Sequence, residues 1–303
     1  MSGKLSEVQG RIGTVHQLEA VITAMRGSAA ARSREARSRL DGIRAYATVV
    51  AGAIGQALAL DPEAEPRAHS SDKSQGHAVI ALCAEQGFAG TFNERVLDEA
   101  VRHTKSASAE LLVVGYRGRI TAAERGIAVA WSAPMVAHAD EVPALASRIA
   151  DTLYDRLEQG RTSRATMIHA VPGPSASIGV VERPLLPFDF SRFKVAPRAI
   201  PPLTTLRADL LLSELGEEYV YAELCEAVML SFAAENEARM RAMIAARSHV
   251  QQKLDELVGS FRRLRQEEIT GEIIELSAGS TSASGPVRRK RNHAALLANG
   301  GDE

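Results

Sequence analysis

The stretch best placed to do chemistry is the turn Glu85-Gln86-Gly87-Phe88-Ala89-Gly90-Thr91-Phe92-Asn93, which follows the apolar run His77–Leu82. A glycine-bearing turn between a strand and a helix is where α/β proteins cradle phosphates on backbone amides. This one has neither the G-x-G-x-x-G spacing nor a Walker A loop, and no lysine follows Gly90. It therefore reads as a tight strand-to-helix turn. The eight histidines are scattered, without H-x-x-x-H or H-E-x-x-H spacing. Cys83 and Cys225 lie too far apart for a disulfide framework or a zinc knuckle, and neither has a histidine nearby in sequence. No G-x-S-x-G occurs. No residue set here supports acid–base, nucleophilic or metal chemistry, so no cofactor, no metal and no autonomous enzyme are expected.

The elements around that turn follow from the prolines. Eleven of the twelve fall between Pro62 and Pro202, with Pro286 the exception. Long helices are expected before and after that stretch, with a mixed region between them. The first helix is expected over residues 1–60, with the stripe Leu5, Val8, Ile12, Val15, Leu18, Ile22 and Met25 at gaps of three and four. The last is expected from Leu203 to Gly279, about 110 Å at 1.5 Å per residue. Its second half carries Val250, Leu254, Leu257, Phe261 and Leu264, the a/d pattern of a coiled-coil seam. Two such helices at opposite chain ends can pair antiparallel, each covering the other's seam.

Gly27, Gly52 and Gly55 interrupt the first helix, where backbones are expected to pack closely. Residues 1–58 carry eight cationic and four acidic side chains, a net +4. That face is expected either to be solvated or to meet an acidic partner. Residues 61–76 are rich in proline, serine and charge and read as a linker. The region 77–202 then alternates strands (77–82, 111–115, 127–131, 165–171, 178–181) with helices (92–104, a short one near Thr121, 141–159). The residues from 183 form an irregular return. That alternation predicts an open, Rossmann-like α/β domain inserted between the two helices. Residues 280–303, with Arg288-Arg289-Lys290-Arg291, read as a disordered basic tail.

With 303 residues, 45% of them hydrophobic, the chain can build a real core. A net charge of −1 gives no global reason to expect nucleic acid. No signal-type leader is evident, and no run of about 20 apolar residues suggests a membrane span. Two cysteines fit a reducing compartment.

Several stretches resemble the γ subunit of F-type ATP synthases, in register from about Lys4 to Gly279. Val21 to Arg32, VITAMRGSAAAR, is similar to that family's K-I-T-K-A-M-x-x-V-A-A-S-K. Arg44-Ala45-Tyr46-Ala47 resembles R-P-Y-A, and Glu85 to Asn93 resembles D-R-G-L-C-G-x-x-N. Glu235, Ala238, Arg239, Met240, Ala242 and Met243 match E-x-x-A-R-M-x-A-M, and Arg265 to Glu272 matches R-Q-A-x-I-T-x-E. The two terminal motifs are the specific ones. Departures are Glu85 for aspartate, Ala89 for cysteine, Gly27-Ser28 for Met-Val, and Pro201-Pro202-Leu203 where an acidic Y-E-P often stands. The ITAMRG variant is more similar to the alternative, sodium-linked branch, and no cysteine-bearing regulatory insert is present.

The resemblance implies a rotor shaft inside a ring of α and β subunits, with the ε subunit and the c-subunit ring at its foot. It implies a peripheral place on the cytoplasmic side of a bacterial inner membrane. It also implies contact of Met25, Arg26, Arg239, Gln266 and Thr270 with the β subunits' catch loops, whereas Arg37 is expected to matter little. The competing expectations are a coiled-coil scaffold without an ATPase partner and a dinucleotide-dependent enzyme built on the middle domain.

Overall fold

The computed structural model describes residues 2–60, 76–104, 109–173, 178–199 and 202–283. The elements are α1 (Ser2–Leu60), β1 (His77–Leu82), α2 (Phe92–His103), β2 (Ala109–Val114), α3 (Tyr116–Glu124), β3 (Trp131–Ala133), α4 (Val142–Glu158), β4 (Arg164–Pro172), β5 (Ile178–Leu186) and α5 (Ala208–Ala283). Short 3-10 turns, Ala139–Glu141 and Phe190–Arg192, precede α4 and follow β5. Most of the expected linker and the basic tail lie outside the described residues.

The contacts define two units. One joins the start of α1, up to Leu18, with the end of α5, from Val250; the other is Glu19–His249. In the first unit Leu254 and Leu257 are buried, and Val250, Phe261, Leu264, Leu5, Val8, Ile12 and Val15 are half-buried. Leu18, assigned to the stripe from its spacing, is instead 48% exposed. The reason is the repeat. Inward positions of α1 recur at 3.5-residue spacing, and the step after Val15 falls on Glu19, the first residue of the second unit.

Within the larger unit the inward positions of α1 are Ile22, Arg26, Ala29, Ser33, Ala36, Leu40, Ile43, Ala47, Val50 and Ile54, all buried or half-buried. Small residues dominate its middle. Pairs of α1 with α5 descend as α1 ascends: Glu19 with Arg247, Arg37 with Glu237, Arg44 with Glu226, Tyr46 with Glu218. The two helices are therefore antiparallel within this unit. Part of α1's positive charge is answered by acidic side chains of α5, not by solvent alone.

The sheet has the order β3-β2-β1-β4-β5. The first four strands are parallel and β5 is an antiparallel edge. All six residues of β1 are buried, as a central parallel strand requires. Ala78, Ile80 and Leu82 face a core shared with α4, α5 and Ala36 and Leu40 of α1. Val79, Ala81 and Cys83 face a second core with α2, Ala122, Ala234 and Ala238. A third cluster gathers Val50, Ile54, Ala57 and Leu212 with Phe188, Phe190, Phe193 and Tyr219.

The larger departures from the expected boundaries fall at β3, β5 and α5. β3 starts at Trp131, not Ile127: the Ala130 amide already reaches Leu111 O at 2.8 Å, while Ile127 and Val129 cover the second core from an irregular segment. β5 continues to Leu186, with Pro184 tolerated because the strand is an edge. α5 begins at Ala208 after the extended lead-out from Pro202, and it passes through Gly279 to Ala283. By length and composition α1 also meets the criterion for a membrane span, with mean hydropathy 1.4 over an 18-residue window. Its apolar end is nevertheless used in packing, through Val50, Ile54 and Ala57.

Close backbone approach holds at one of the three glycines only. A Cβ on Gly55 would lie 2.4 Å from Lys194 O, and the Ala196 amide donates to Gly55 O at 2.9 Å. A Cβ on Gly27 or Gly52 would meet nothing. Gly55→Ala should therefore destabilise the chain by about 1–3 kcal/mol through overpacking. Gly27→Ala or Gly52→Ala should stabilise it by about 0.5–1 kcal/mol through helix propensity. Urea unfolding of the three variants checks the opposite signs.

His169 is fully buried on β4, and its Nε2 has no hydrogen-bond partner among the described residues. Burial, with Arg183 adding to it, pushes its pKa down to about 4, while a bond to Ala170 O opposes the shift. The folded state thus binds fewer protons than the unfolded one, whose imidazole titrates near 6.5. This contribution is complete above that value and is lost as pH falls towards 4, by about 3 kcal/mol at most. His169→Leu should lose less stability than the wild type between pH 7 and pH 4.5 in urea unfolding.

Candidate functional site: the turn after β1 and the helix that fills it

Strand order reverses at β1, which has β2 on one side and β4 on the other. In open α/β sheets this switch point, at the carboxyl ends of the strands, is where ligands bind. The turn of residues 84–91 leaves β1 there. Its conformation is set locally. The Ala84 amide donates to Asn93 Oδ1 at 2.8 Å, tying the turn to the first residues of α2. Glu85 Oε2 accepts from the amides of Tyr116 at 2.9 Å and Met135 at 2.7 Å, tying it to the ends of β2 and β3. Phe88 is left-handed at φ 62° and its ring is exposed.

α5 lies against this turn. Ser231 Oγ donates to Leu82 O at 3.0 Å, placing α5 against the end of β1. One turn further on, the Glu235 carboxylate accepts long bonds from the amides of Glu85 and Gln86, both 3.4 Å. Arg239 pairs with that carboxylate. Its remaining donors reach Gly87 O and Gln86 O, each at 3.2 Å, and Asn236 Oδ1 at 3.1 Å. Glu235 is 3% exposed and Arg239 4%. Burial pushes the Glu235 carboxyl above its usual range, and Arg239 and the two turn amides pull it back. The amides that could hold a phosphate are engaged by an anion from the same chain, with its counter-ion beside it.

A second buried carboxylate lies two residues on. Glu237, 6% exposed, accepts from Ser33 Oγ at 3.3 Å and pairs with Arg37 and Arg241. Arg37, whose removal is expected to matter little for the rate, is one of the groups that pair with Glu237, with its own side chain 58% exposed. Glu226 bridges Arg44 of α1, at 2.9 Å, and Arg183 of β5, at 3.1 Å. Burial raises its pKa, but the two guanidinium groups together hold it below the ordinary value. Burial pushes the thiols of Cys83 and Cys225 up, away from nucleophilic character.

The five residues singled out by resemblance divide between the two units. Met25 and Arg26 are half-buried on α1, and Arg239 is engaged by the 85–87 turn. Gln266 and Thr270 belong to the other unit, exposed on α5, where Thr270 Oγ1 donates to Gln266 O at 2.8 Å. Spacing alone did not mark Glu235, Asn236 and Glu237 as buried. The available signal was a polar run inside an apolar stretch, with carboxylate and guanidinium at i and i+4.

A family model described as ATP synthase matches residues 4–282 of the chain. The ATP synthase gamma chain of Moorella thermoacetica is 29% identical over 284 residues, covering 91% of this chain and 98% of that protein. That of Salinibacter ruber is 26% identical over 300 residues, covering 91% and 97%. A chain from a cryo-EM structure of Euglena gracilis mitochondrial ATP synthase, comprising OSCP, F1 and c-ring, has a similar fold. Its TM-score is 0.63 at 12% identity, over 97% of this chain and 100% of that one. A chain from the central stalk and c-ring of Tetrahymena thermophila mitochondrial ATP synthase gives 0.55 at 18% identity, covering 75% and 99%.

Removing Arg239 would leave the Glu235 carboxylate buried without its counter-ion. Arg239→Ala should cost about 3–5 kcal/mol, and the double variant Glu235→Leu/Arg239→Met clearly less, because it removes both charges. Urea unfolding separates the two. A loss below about 1 kcal/mol in Arg239→Ala, the range of an exposed pair, would refute the buried-pair account.

Proposed function

The chain belongs to the ATP synthase family, by its match over residues 4–282, and on that premise we infer that it is the γ chain, the central rotor subunit of the enzyme. The observation that carries this reading is the match along almost the full chain, together with the same fold in chains from solved ATP synthases. The scaffold alternative does not account for that match. The dinucleotide-enzyme alternative requires the turn amides that Glu235 already holds.

The γ chain is a subunit of the ATP-synthesising complex, and we place no catalytic site of its own on it. Catalysis belongs to the α/β head. An asymmetric shaft touches each β subunit differently, and differential contact is what shifts each site towards a different state. Two helices of unlike sequence pairing antiparallel supply such asymmetry. Rotation driven by ion flow through the c ring then carries the states around the head.

Met25, Arg26, Gln266 and Thr270 are the direct contacts we assign to the β catch loops. Arg239 contributes through the turn it holds, which presents Phe88. The partners are the α and β subunits and the c ring, with ε at the foot, and the complex is membrane-associated. We place it on the cytoplasmic side of a bacterial inner membrane.

Co-expression with the α and β subunits tests the assignment. A stable complex with ATPase activity should form. Equilibrium binding should find no micromolar affinity of the isolated chain for labelled ATP; such binding would refute the non-catalytic reading. In the complex, Arg26→Ala should lower the ATPase rate several-fold with little loss of chain stability. Arg37→Ala should act the other way round, costing about 1 kcal/mol of stability through Glu237 and leaving the rate near wild type.

A further inference from the structure

α2 and the edge strand β5 bring three metal-binding side chains to one point, away from the turn. Glu99 and His103 are one helical turn apart on α2 and so share a face. Glu182 reaches them from β5. One ligand atom from each, two carboxylate oxygens and an imidazole nitrogen, lie within 4.8 Å of one another. His103 Nε2 is 3.3 Å from the Glu182 carboxylate. Packing holds the positions. Val96, Leu97 and Ala100 seat α2 on the sheet, and Glu182 is paired with Ile168 in the β4–β5 ladder. We propose that Glu99, His103 and Glu182 form a binding site for a divalent metal ion of the zinc class, which ties α2 to the sheet edge.

The donor set selects the class of ion. One imidazole with two carboxylates suits zinc, cobalt or nickel, whereas calcium and magnesium take six or more oxygens. Two carboxylates match the ion's double charge. Zinc bonds of about 2.0–2.2 Å need the ligand atoms to draw in by about 1 Å. Glu182 is the most exposed of the three, at 48%, and would supply that movement. Among the described residues, the site's charged neighbour is Arg102, with His77 and Arg164 further along. Arg102 pairs with Glu99 at 2.7 Å from an exposed position, a contact worth little and displaceable by the ion. His77 stands edge-on to His103, with ring centres 6.2 Å apart, and its Nε2 lies 2.8 Å from Thr166 Oγ1. Arg164 acts on His77 from β4. With three protein ligands, a tetrahedral ion would keep a fourth position for water. The ion's effect is structural: β5 has a neighbouring strand on one side only, and the metal would secure it to the helix above.

The test is titration of the full chain with Zn²⁺ alone, in competition with a chromophoric chelator, together with thermal unfolding. One equivalent should bind and raise the melting temperature. His103→Ala and Glu182→Gln should each weaken that affinity about tenfold or more and abolish the thermal shift. His16→Ala, an exposed imidazole on α1, should leave both unchanged. If His103→Ala fails to fold, the isosteric double variant Glu99→Gln/Glu182→Gln gives the same reading, and the visible spectrum of bound Co²⁺ should change in Glu182→Gln. Absence of one-to-one binding, or binding insensitive to all three ligand substitutions, would overturn the proposal.

Discussion

Glu235 and Arg239, one helical turn apart on α5, sit almost fully out of water at the carboxyl end of the parallel sheet. Two ions in that position would each cost several kcal/mol without compensation. Compensation comes from the turn after β1. Its amides face the carboxylate, and its carbonyls accept from the guanidinium. The pair is therefore satisfied only when α5 lies across the end of β1 in one register. A helix that packed through apolar side chains alone could slide by one repeat with little penalty; this one cannot. The sheet is thereby tied to the same helix that carries the coiled-coil seam.

The seam itself shows a division of labour. Around residues 29–36 α1 turns small residues inward, Ala29, Ser33 and Ala36, opposite the part of α5 that holds Glu237. Small side chains give up buried area but let helix backbones approach. What they forgo in hydrophobic burial is replaced by directional contacts, with Ser33, Arg37 and Arg241 converging on Glu237. Nearer the end of α1 the pattern reverts to apolar packing, with Val50 and Ile54 against Leu212 and the aromatic cluster around Phe188. Arg192 lies over three of those rings and pairs with Glu223, closing the cluster on its polar side.

An α/β domain with a switch point is built to take a ligand there, and here the chain provides an anion of its own. The same geometry that makes such a site useful in an enzyme serves as an anchor. Backbone amides bind a carboxylate by the interactions they would use for a phosphate oxygen. The turn needs no phosphate-loop lysine, because its anion arrives with a counter-ion attached. Gly90 is left-handed at φ 61°, whereas a Cβ on Gly87 would meet nothing.

The sequence by itself determined the architecture. Proline placement bounds the long helices, the 3.5-residue repeat sets their seam, and runs such as His77–Leu82 mark buried parallel strands, because these signals are local and periodic. The terminal motifs pointed to the family for the same reason, being contiguous stretches of sequence. Only the tertiary structure decided where the charges go. Arg239 and Arg37 both read as available cations in sequence, but pairing with Glu235 and Glu237 depends on which helix face meets the sheet or the other helix. Gly27, Gly52 and Gly55 are equivalent in sequence, and only the crossing of residues 194–196 makes Gly55 different. Ile127 and Val129 alternate like a strand and pack as a loop, because the ladder with β2 begins later. Burial of a polar group and approach of two backbones are properties of pairs distant in the chain, and local periodicity carries no record of them.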